Sequence, residues 1–271
     1  MQEEALSGGN MDPVVRIGGT VRRVSGEWTA AVHELLERYA AAEIPETPRP
    51  QGIDAEGREV LTFIEGATLE QAAPETRWHP SILADSGALM RRLHDASEPL
   101  AAQHRTWRTE THHPAEVVCH NDFAPYNLIV RDGRLVGVID FDTASPGPRL
   151  WDFAYLAYRL VPYAEDAAGF DPARHGSRED RLRLLTEAYG AAFDPAAVRN
   201  EMARRLDDLA AFTERRAADT GRRDLPEHAA MYRRDAARRR SADTGLDSGS
   251  DTRPDSGPDA DRRPDAPPPR G

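Results

Sequence analysis

Lysine is absent from this 271-residue sequence, so all 35 of its basic residues are arginines. Aspartate and glutamate together number 46, which leaves a formal net charge of −11. A protein that binds nucleic acid needs a basic surface to neutralise the phosphates. The composition therefore argues against DNA or RNA as a partner.

Cysteine and long apolar runs are equally scarce. The single cysteine, Cys119, excludes an intrachain disulfide and a zinc site built from several thiolates. No apolar run approaches the ~20 residues of a membrane-spanning helix, and the first residues lack the basic and apolar regions of a signal peptide. We therefore expect a cytoplasmic protein without a membrane partner.

Three regions of different character follow one another along the chain. Residues 1–65 contain β-branched runs, with a hairpin predicted at 13–24 around a Gly-Gly turn, and one amphipathic helix. Residues 66–240 show mainly helical periodicity, interrupted by short β-rich runs. Residues 241–271 are rich in Asp, Pro, Ser and Gly, so we expect a disordered tail there. The pattern predicts an α+β protein with a small N-terminal sheet lobe and a larger, mainly helical C-terminal lobe.

The strongest local signal is the dipeptide Asp132-Gly133 between two aliphatic runs, which predicts a tight β-hairpin. Pairing outward from a two-residue turn places Asn127 opposite Val138. Asp140, two residues further on, then lies on the same face as Asn127 at about 7–8 Å. A carboxylate and an amide oxygen at this spacing predict a Mg²⁺ site, because this cation binds oxygen ligands and keeps water or phosphate oxygens as well.

Asp122 precedes Asn127 by five residues, in a segment that Pro125 keeps from being helical. An acid, an amide and a second acid after a hairpin match phosphoryl-transfer enzymes, which need a base for the acceptor hydroxyl and two metal ligands. Asp142 would be a further ligand or a hydrogen-bonding partner. The plainer alternative, polar residues that only cap and turn, gives no reason for three metal-compatible groups on one side of a hairpin.

Asp152 lies in a helix that is apolar nearly all round, so its carboxylate must have partners if the helix is buried. We expect it to accept hydrogen bonds from the loop around His120, a histidine that we predict to be structural rather than a proton shuttle. The alternative is an exposed Asp152 at the N-terminus of its helix.

The sequence HNDFAPYN at 120–127 and the sequence IDFD at 139–142 together resemble motifs of the aminoglycoside phosphotransferase and choline kinase-like family. The layout of residues 1–240 agrees with this resemblance. It implies a two-lobed protein-kinase-like fold whose C-terminal lobe carries the catalytic hairpin. It also implies Asp122 as the catalytic base, Asn127 and Asp140 as Mg²⁺ ligands and His120 as a residue that holds the loop.

The resemblance further implies that the N-terminal lobe covers ATP with a strand-loop-strand, in which residues 6–10 form the loop. The family supplies a cation to the phosphates from its third strand. Because the sequence contains no lysine, Arg22 or Arg23 must supply this cation, although the planar guanidinium group differs in shape from the lysine ammonium group. The acidic partner on the helix would be Glu34 or Glu37. The hinge whose backbone meets adenine would lie in the run that contains Thr62, Phe63 and Ile64.

These residues predict an ATP- and Mg²⁺-dependent small-molecule kinase that transfers the γ-phosphoryl group to a hydroxyl. A cationic amino alcohol or an aminoglycoside is the expected acceptor, with a neutral sugar as the alternative. The acids expected beside the acceptor are Glu165, Asp166, Asp207 and Asp208. Two other functions stay open, namely a catalytically silent nucleotide-binding pseudokinase, because lysine is missing, and a metal-dependent hydrolase that uses the same carboxylates.

Overall fold

The computed structural model describes residues 3–6 and 14–243. The predicted nucleotide loop at 6–10 lies outside the described residues except for Leu6. The predicted tail lies outside them from residue 244 onward, and the last helix continues to Asp243, three residues beyond the boundary expected at 240. No described helix combines the length and apolarity needed to cross a membrane.

The N-terminal part is a five-stranded antiparallel sheet with one helix, as the sequence predicts. The strand order is β1-β2-β3-β5-β4. The elements are β1 (Glu3–Leu6), β2 (Val14–Ile17), β3 (Thr20–Val24), α1 (Thr29–Ala41), β4 (Pro50–Ile53) and β5 (Arg58–Thr62). The predicted Gly-Gly hairpin is present, with Ile17 opposite Thr20 across the turn. Strand β3 pairs next with β5, which places Arg23 directly opposite Glu59.

The C-terminal part is mainly helical and carries two small sheets, one with the order β6-β8-β9 and one formed by β7 and β10. The strands are β6 (Ala67–Thr68), β7 (Val117–Cys119), β8 (Leu128–Arg131), β9 (Arg134–Val138) and β10 (Ser145–Gly147). The helices are α2 (Pro74–Arg77), α3 (Pro80–Ala101), α4 (Arg149–Leu160), α5 (Pro172–His175), α6 (Arg178–Tyr189), α7 (Pro195–Thr220) and α8 (Leu225–Asp243).

One continuous apolar core joins the two parts. It runs from Leu35 and Leu36 of α1 through Met90 of α3 to Phe153 of α4 and Met202 of α7, all of which are buried. Helix α1 packs on the C-terminal core as well as on its own sheet, so it connects the N-terminal sheet to the C-terminal part.

The hairpin formed by β8 and β9 differs from the predicted register by one residue. Val130 pairs with Leu135 as expected, but Ile129 pairs with Gly137 because β9 contains a bulge. Val138 therefore faces Leu128 rather than Asn127, and the carbonyl of Asn127 accepts a hydrogen bond from the Ile139 N–H at 2.9 Å.

Candidate active site

Asp152 organises the loop that precedes the hairpin. It is 1% exposed, and its two carboxylate oxygens accept hydrogen bonds from the backbone N–H groups of His120 (2.8 Å) and Asn121 (2.9 Å). His94 of α3 contacts the same carboxylate at 3.1 Å. His94 was not expected there, whereas the two hydrogen bonds from the loop are those that the sequence predicted. They hold the loop against α4, and Asn121 adopts a left-handed conformation with φ 65°.

His120 connects this loop to the end of β9. The N–H of Asp122 donates to its Nδ1 at 3.2 Å, which requires the proton to be on Nε2. Nε2 then donates to the carbonyl of Ile139 at 3.1 Å. The ring thereby links the backbone of Asp122 to the backbone of Ile139, the residue that precedes Asp140, which is the contact expected of a histidine with a structural role.

Asp122 receives two side-chain hydrogen bonds. The hydroxyl of Tyr126 donates to one carboxylate oxygen, and the amide nitrogen of Asn127 donates to the other at 3.0 Å. Burial raises the pKa of Asp122 above its ordinary value, the hydrogen bond from Tyr126 opposes that rise, and the nearby charge of Asp140 adds to it. A raised pKa makes the carboxylate a better proton acceptor than an ordinary exposed aspartate.

Asn127 and Asp140 line the same cavity as Asp122. The amide nitrogen of Asn127 is occupied by Asp122, so its carbonyl oxygen is the atom left for a metal. Asp140 follows β9 in a left-handed conformation (φ 66°), and its carboxylate is 37% exposed. One amide oxygen and one carboxylate are what Mg²⁺ accepts when phosphates and water complete its shell, so the residues fit this ion. Among the described residues, no cluster of three His, Cys, Asp or Glu side chains could hold a metal without Asn127.

Arg23 and Arg22 point to opposite faces of β3, as alternation along a strand requires. The Nη1 of Arg23 lies 3.1 Å from Asp140, and its Nη2 contacts Asp142. Arg22 instead contacts Thr20 at 2.6 Å and Asp54 at 3.5 Å, away from the hairpin. Of the two arginines, Arg23 is therefore the one that lies beside Asp140, and the structure places Arg22 away from the hairpin.

Asp142 is held by two arginines, because Arg108 binds its second oxygen at 3.1 Å. With both oxygens in salt bridges, Asp142 is a partner of Arg23 and Arg108. Of the two roles that the sequence left open for Asp142, a further metal ligand or a hydrogen-bonding partner, these contacts favour the hydrogen-bonding partner.

The acidic partner of Arg23 comes from a strand and not from α1. Glu59 of β5 is 1% exposed and binds the Nε of Arg23 at 2.6 Å. Helix α1 contributes His33, whose ring lies 2.9 Å from the other oxygen of Glu59. The expectation of Glu34 or Glu37 is wrong, since Glu34 forms a salt bridge with Arg105 at 2.7 Å and the partners of Arg23 are Glu59, Asp140 and Asp142.

The predicted hinge residues follow β5. The N–H groups of Thr62 and Phe63 donate to the carbonyls of Arg49 and Gly19, each at 2.9 Å. These two donors are therefore used within the sheet. Ile64 packs where a side chain on Gly137 would clash, so the predicted hinge segment lies directly against the β8–β9 hairpin.

A cavity of about 660 Å³ opens in front of the loop and the hairpin. Helices α7 and α8 form its opposite wall, and α7 contains Asp208, one of the acids that the sequence analysis expected beside the acceptor. Arg205 of α7 is 8% exposed, stacks on Trp151 and Tyr155 and donates to the carbonyl of Asn121. Sequence reasoning did not assign Arg205 to the site, and the usable signal was an arginine within the apolar face of α7.

Of the four acids expected beside the acceptor, one lines the cavity and three do not. Glu165 pairs with Arg234 and Arg238, Asp166 with Arg159 and Asp207 with Arg240, and these three acids lie outside the cavity. Asp208 is the member of the four that lines it.

Residues 14–185 match the model of the phosphotransferase enzyme family (APH). The chain belongs to this family. It is 32% identical over 202 residues to the trifolitoxin immunity protein of Rhizobium leguminosarum bv. trifolii, a match that covers 69% of this chain and 74% of that protein.

Solved structures of phosphotransferases share the fold. A choline kinase from Cryptosporidium parvum Iowa II superposes with a TM-score of 0.62 at 13% identity, covering 90% of this chain and 91% of that one. A spectinomycin phosphotransferase bound to ADP and spectinomycin gives 0.60 at 10% identity over 88% and 93% of the two chains. Identities this low show the fold alone. The predicted α+β protein-kinase-like fold and the family resemblance are confirmed.

Proposed function

We propose that this phosphotransferase-family protein moves the γ-phosphoryl group of ATP to a hydroxyl of a small molecule with the help of Mg²⁺. The observation that carries the proposal is that Asp122, Asn127 and Asp140 line one cavity while Arg23 reaches Asp140 from the N-terminal sheet. Residues 1–65 would cover the nucleotide, and residues 66–240 would supply the base, the metal ligands and the acceptor wall.

In this proposal each group has a separate task. Asp122 orients the acceptor hydroxyl and takes its proton, and Asn127 and Asp140 hold Mg²⁺. The metal, when bound, neutralises charge on the transferred phosphoryl group. Arg23 contacts the phosphates in place of the missing lysine. Ile64 is the hinge residue whose backbone is best placed for adenine, because the N–H groups of Thr62 and Phe63 are engaged in the sheet.

The pseudokinase alternative rests on the absent lysine. Arg23 weakens it, because a permanent cation lies beside Asp140 and is held by the buried Glu59. The hydrolase alternative uses the same carboxylates but leaves the acceptor cavity without a purpose.

ADP release with Mg-ATP, measured with and without candidate acceptors, tests the proposed function. The panel should contain aminoglycosides, amino alcohols, sugars and macrolides. It should also contain trifolitoxin, because the relative at 32% identity is named a trifolitoxin immunity protein. We expect ADP release that depends on one class of acceptor. Phosphate release without an acceptor would support the hydrolase, and ATP binding without turnover across the panel would support the pseudokinase.

The substitution Glu59→Gln tests how Arg23 is positioned. Loss of the buried charge partner should raise the KM for ATP by roughly tenfold or more and change kcat less, since a hydrogen bond to a charged group contributes about 1.5–3 kcal/mol. Steady-state kinetics with ATP as the varied substrate measures both values.

Glu34→Gln is the matched control, because Glu34 is an acid of α1 that binds Arg105 instead. It should leave the KM for ATP unchanged within about twofold, as expected for a half-exposed salt bridge. A raised KM in Glu34→Gln together with a normal one in Glu59→Gln would contradict the assignment.

A further inference from the structure

Asn121, the residue before Asp122, has both polar atoms of its side chain bound. Its amide nitrogen donates to the carbonyl of Thr143 and to the hydroxyl of Ser145, at 2.8 Å each. Its amide oxygen accepts a hydrogen bond from the indole N–H of Trp151 at 3.0 Å. Asn121 is 6% exposed and has φ 65°, a sparsely populated conformation that persists where the surrounding contacts over-determine it.

The backbone carbonyl of Asn121 is bound by a helix from the acceptor side of the cavity. It accepts a hydrogen bond from the Nη2 of Arg205, which lies in α7 and is 8% exposed. The guanidinium carbon lies 4.8 Å from the ring centre of Trp151 and 5.3 Å from that of Tyr155. Trp151 therefore contacts Asn121 and Arg205 at once, so the three side chains support one another around the residue that precedes Asp122.

This carbonyl belongs to the peptide plane that joins Asn121 to Asp122. A peptide unit is planar, so the orientation of its oxygen fixes the orientation of its N–H. At the opposite edge of the plane, the N–H of Asp122 donates to the Nδ1 of His120 at 3.2 Å. With Arg205 on the oxygen and His120 on the nitrogen, the plane cannot rotate without losing a hydrogen bond. The direction in which the side chain of Asp122 leaves the backbone depends on that plane.

No acid competes with the loop for Arg205. Within the part of the chain that the structure describes, no carboxylate lies within salt-bridge distance of its guanidinium, although Asp208 and Glu110 line the same cavity. A buried charge requires compensation. Here two aromatic faces and a charge-assisted hydrogen bond to a carbonyl supply it. The guanidinium is thus bound to the catalytic loop and not to an acid.

Helix α7 lies outside the part of the chain that matches the family model, which ends at residue 185. The family match therefore assigns no role to Arg205. Helix α7 packs against α4, and α4 carries Trp151 and Tyr155 as well as Asp152. The loop is consequently held by α4 at its N–H groups and by α7 at a carbonyl.

We propose that Arg205 is a positioning residue for phosphoryl transfer, which acts through the carbonyl of Asn121 to hold the carboxylate of Asp122 toward the acceptor hydroxyl. This inference rests on the proposed function. Without the guanidinium the peptide plane before Asp122 is free to turn, and a displacement of about 1 Å at a reacting group can cost about 10²-fold in rate. The nucleotide side of the site has no contact with Arg205, so ATP binding is retained.

The substitution Arg205→Met tests this role. Methionine keeps an apolar contact with Trp151 and Tyr155 but cannot donate to the carbonyl, and replacing a buried charge by an apolar side chain commonly preserves folding. We expect kcat in ADP release with the best acceptor to fall roughly 10- to 100-fold, while the KM for ATP changes by less than about threefold. Arg205→Lys keeps a charge and a donor, so it should retain more of kcat than Arg205→Met.

Arg204→Met is the matched control. Arg204 is the preceding residue of α7, and its side chain is 72% exposed and pairs with Glu201 at 3.0 Å. Its kcat and its KM for ATP should equal those of the wild type, because the side chain does not reach the loop.

Hydrogen–deuterium exchange measured by mass spectrometry provides a readout that does not require turnover. In Arg205→Met we expect the amides of residues 120–122 to exchange at least about tenfold faster than in the wild type, with unchanged exchange in β8 and β9. Arg204→Met should show wild-type exchange in both places.

The two readouts separate this inference from the proposed function. Faster exchange confined to the loop, in a protein that shows no ADP release with any acceptor, would support the role of Arg205 in holding the loop and count against the proposed function. Turnover by the wild type with an equal kcat in Arg205→Met would support the proposed function and overturn the inference. A lower kcat with faster exchange throughout the chain would also overturn it, because it would show a general loss of stability.

Discussion

Asp122→Asn should lower kcat for phosphoryl transfer by roughly 10²–10⁴-fold, the contribution typical of a general base. The amide keeps the shape of the side chain and can still accept a hydrogen bond from the hydroxyl of Tyr126, but it loses the hydrogen bond from Asn127 and cannot take a proton from the acceptor. Asp140 keeps its carboxylate, so the dissociation constant for Mg-ATP should change by no more than about tenfold, much less than kcat. Calorimetry for the nucleotide and ADP release with the best acceptor provide the two values.

Asp132→Asn is the matched control for this substitution. Asp132 is exposed at the tip of the same hairpin with φ 52°, a conformation that asparagine tolerates well. Its kcat should equal that of the wild type. A kcat for Asp122→Asn above about a tenth of the wild-type value would mean that another group accepts the proton, since even the weakest general bases contribute more than this.

Asp152→Asn should cost roughly 3–5 kcal/mol of unfolding free energy, the typical cost of breaking a buried charged network. The carboxylate accepts hydrogen bonds from the N–H groups of His120 and Asn121, and it contacts His94. An amide has one acceptor oxygen, so its NH₂ group would face a backbone donor that then has no partner. Denaturant unfolding measures the loss, which is a large share of the 5–15 kcal/mol that stabilises a typical domain.

The loss in Asp152→Asn should also depend on pH. Burial raises the pKa of Asp152, but the hydrogen bond and charge of His94 outweigh it, so the pKa lies below its ordinary value. A lowered pKa in the folded state means that the carboxylate stabilises the fold above about pH 4 and ceases to do so as the pH falls through the folded-state value. The difference between wild type and variant should therefore be full at pH 7 and shrink below about pH 4.

Asp166→Asn provides the comparison for this stability experiment. Asp166 is 45% exposed and pairs with Arg159 near the end of α4, so its loss should cost less than about 1 kcal/mol. Equal stabilities for the two variants would contradict the role given to Asp152.

The parts of the site that the sequence predicted are those set by local rules. A tight Asp-Gly turn brings β8 and β9 together, so Asn127 and Asp140 had to end near each other. The partners of Asp152 were predictable because a carboxylate in an apolar helix must find donors nearby.

The bulge in β9 could not be predicted from local pattern. It follows from a contact with a distant segment, since the N–H of Val138 donates to the carbonyl of Glu46 at 2.8 Å. Gly137 allows this approach, because a Cβ there would lie 2.9 Å from Ile64. Neither contact can be inferred from the alternation of side chains along the two strands of the hairpin.

The partner of Arg23 was missed for a similar reason. The family resemblance implied an acid of the helix, Glu34 or Glu37, whereas the partner depends on which strand lies beside β3. Glu59 is the residue directly opposite in β5, 36 positions later in the chain. The usable signal was an acid directly before the apolar pair Val60 and Leu61 in the same strand, because a buried acid requires a cation or a donor beside it.

The account depends on Asn127 and Asp140 sharing one metal site beside Asp122. Electron paramagnetic resonance of Mn²⁺, which binds the same oxygen ligands as Mg²⁺, tests this directly in the presence of ATP. We predict that the Mn²⁺ signal falls when wild-type protein is added, and that Asp140→Asn weakens Mn²⁺ binding at least tenfold while Asp132→Asn does not. Equal Mn²⁺ affinity in the wild type and Asp140→Asn would contradict the account.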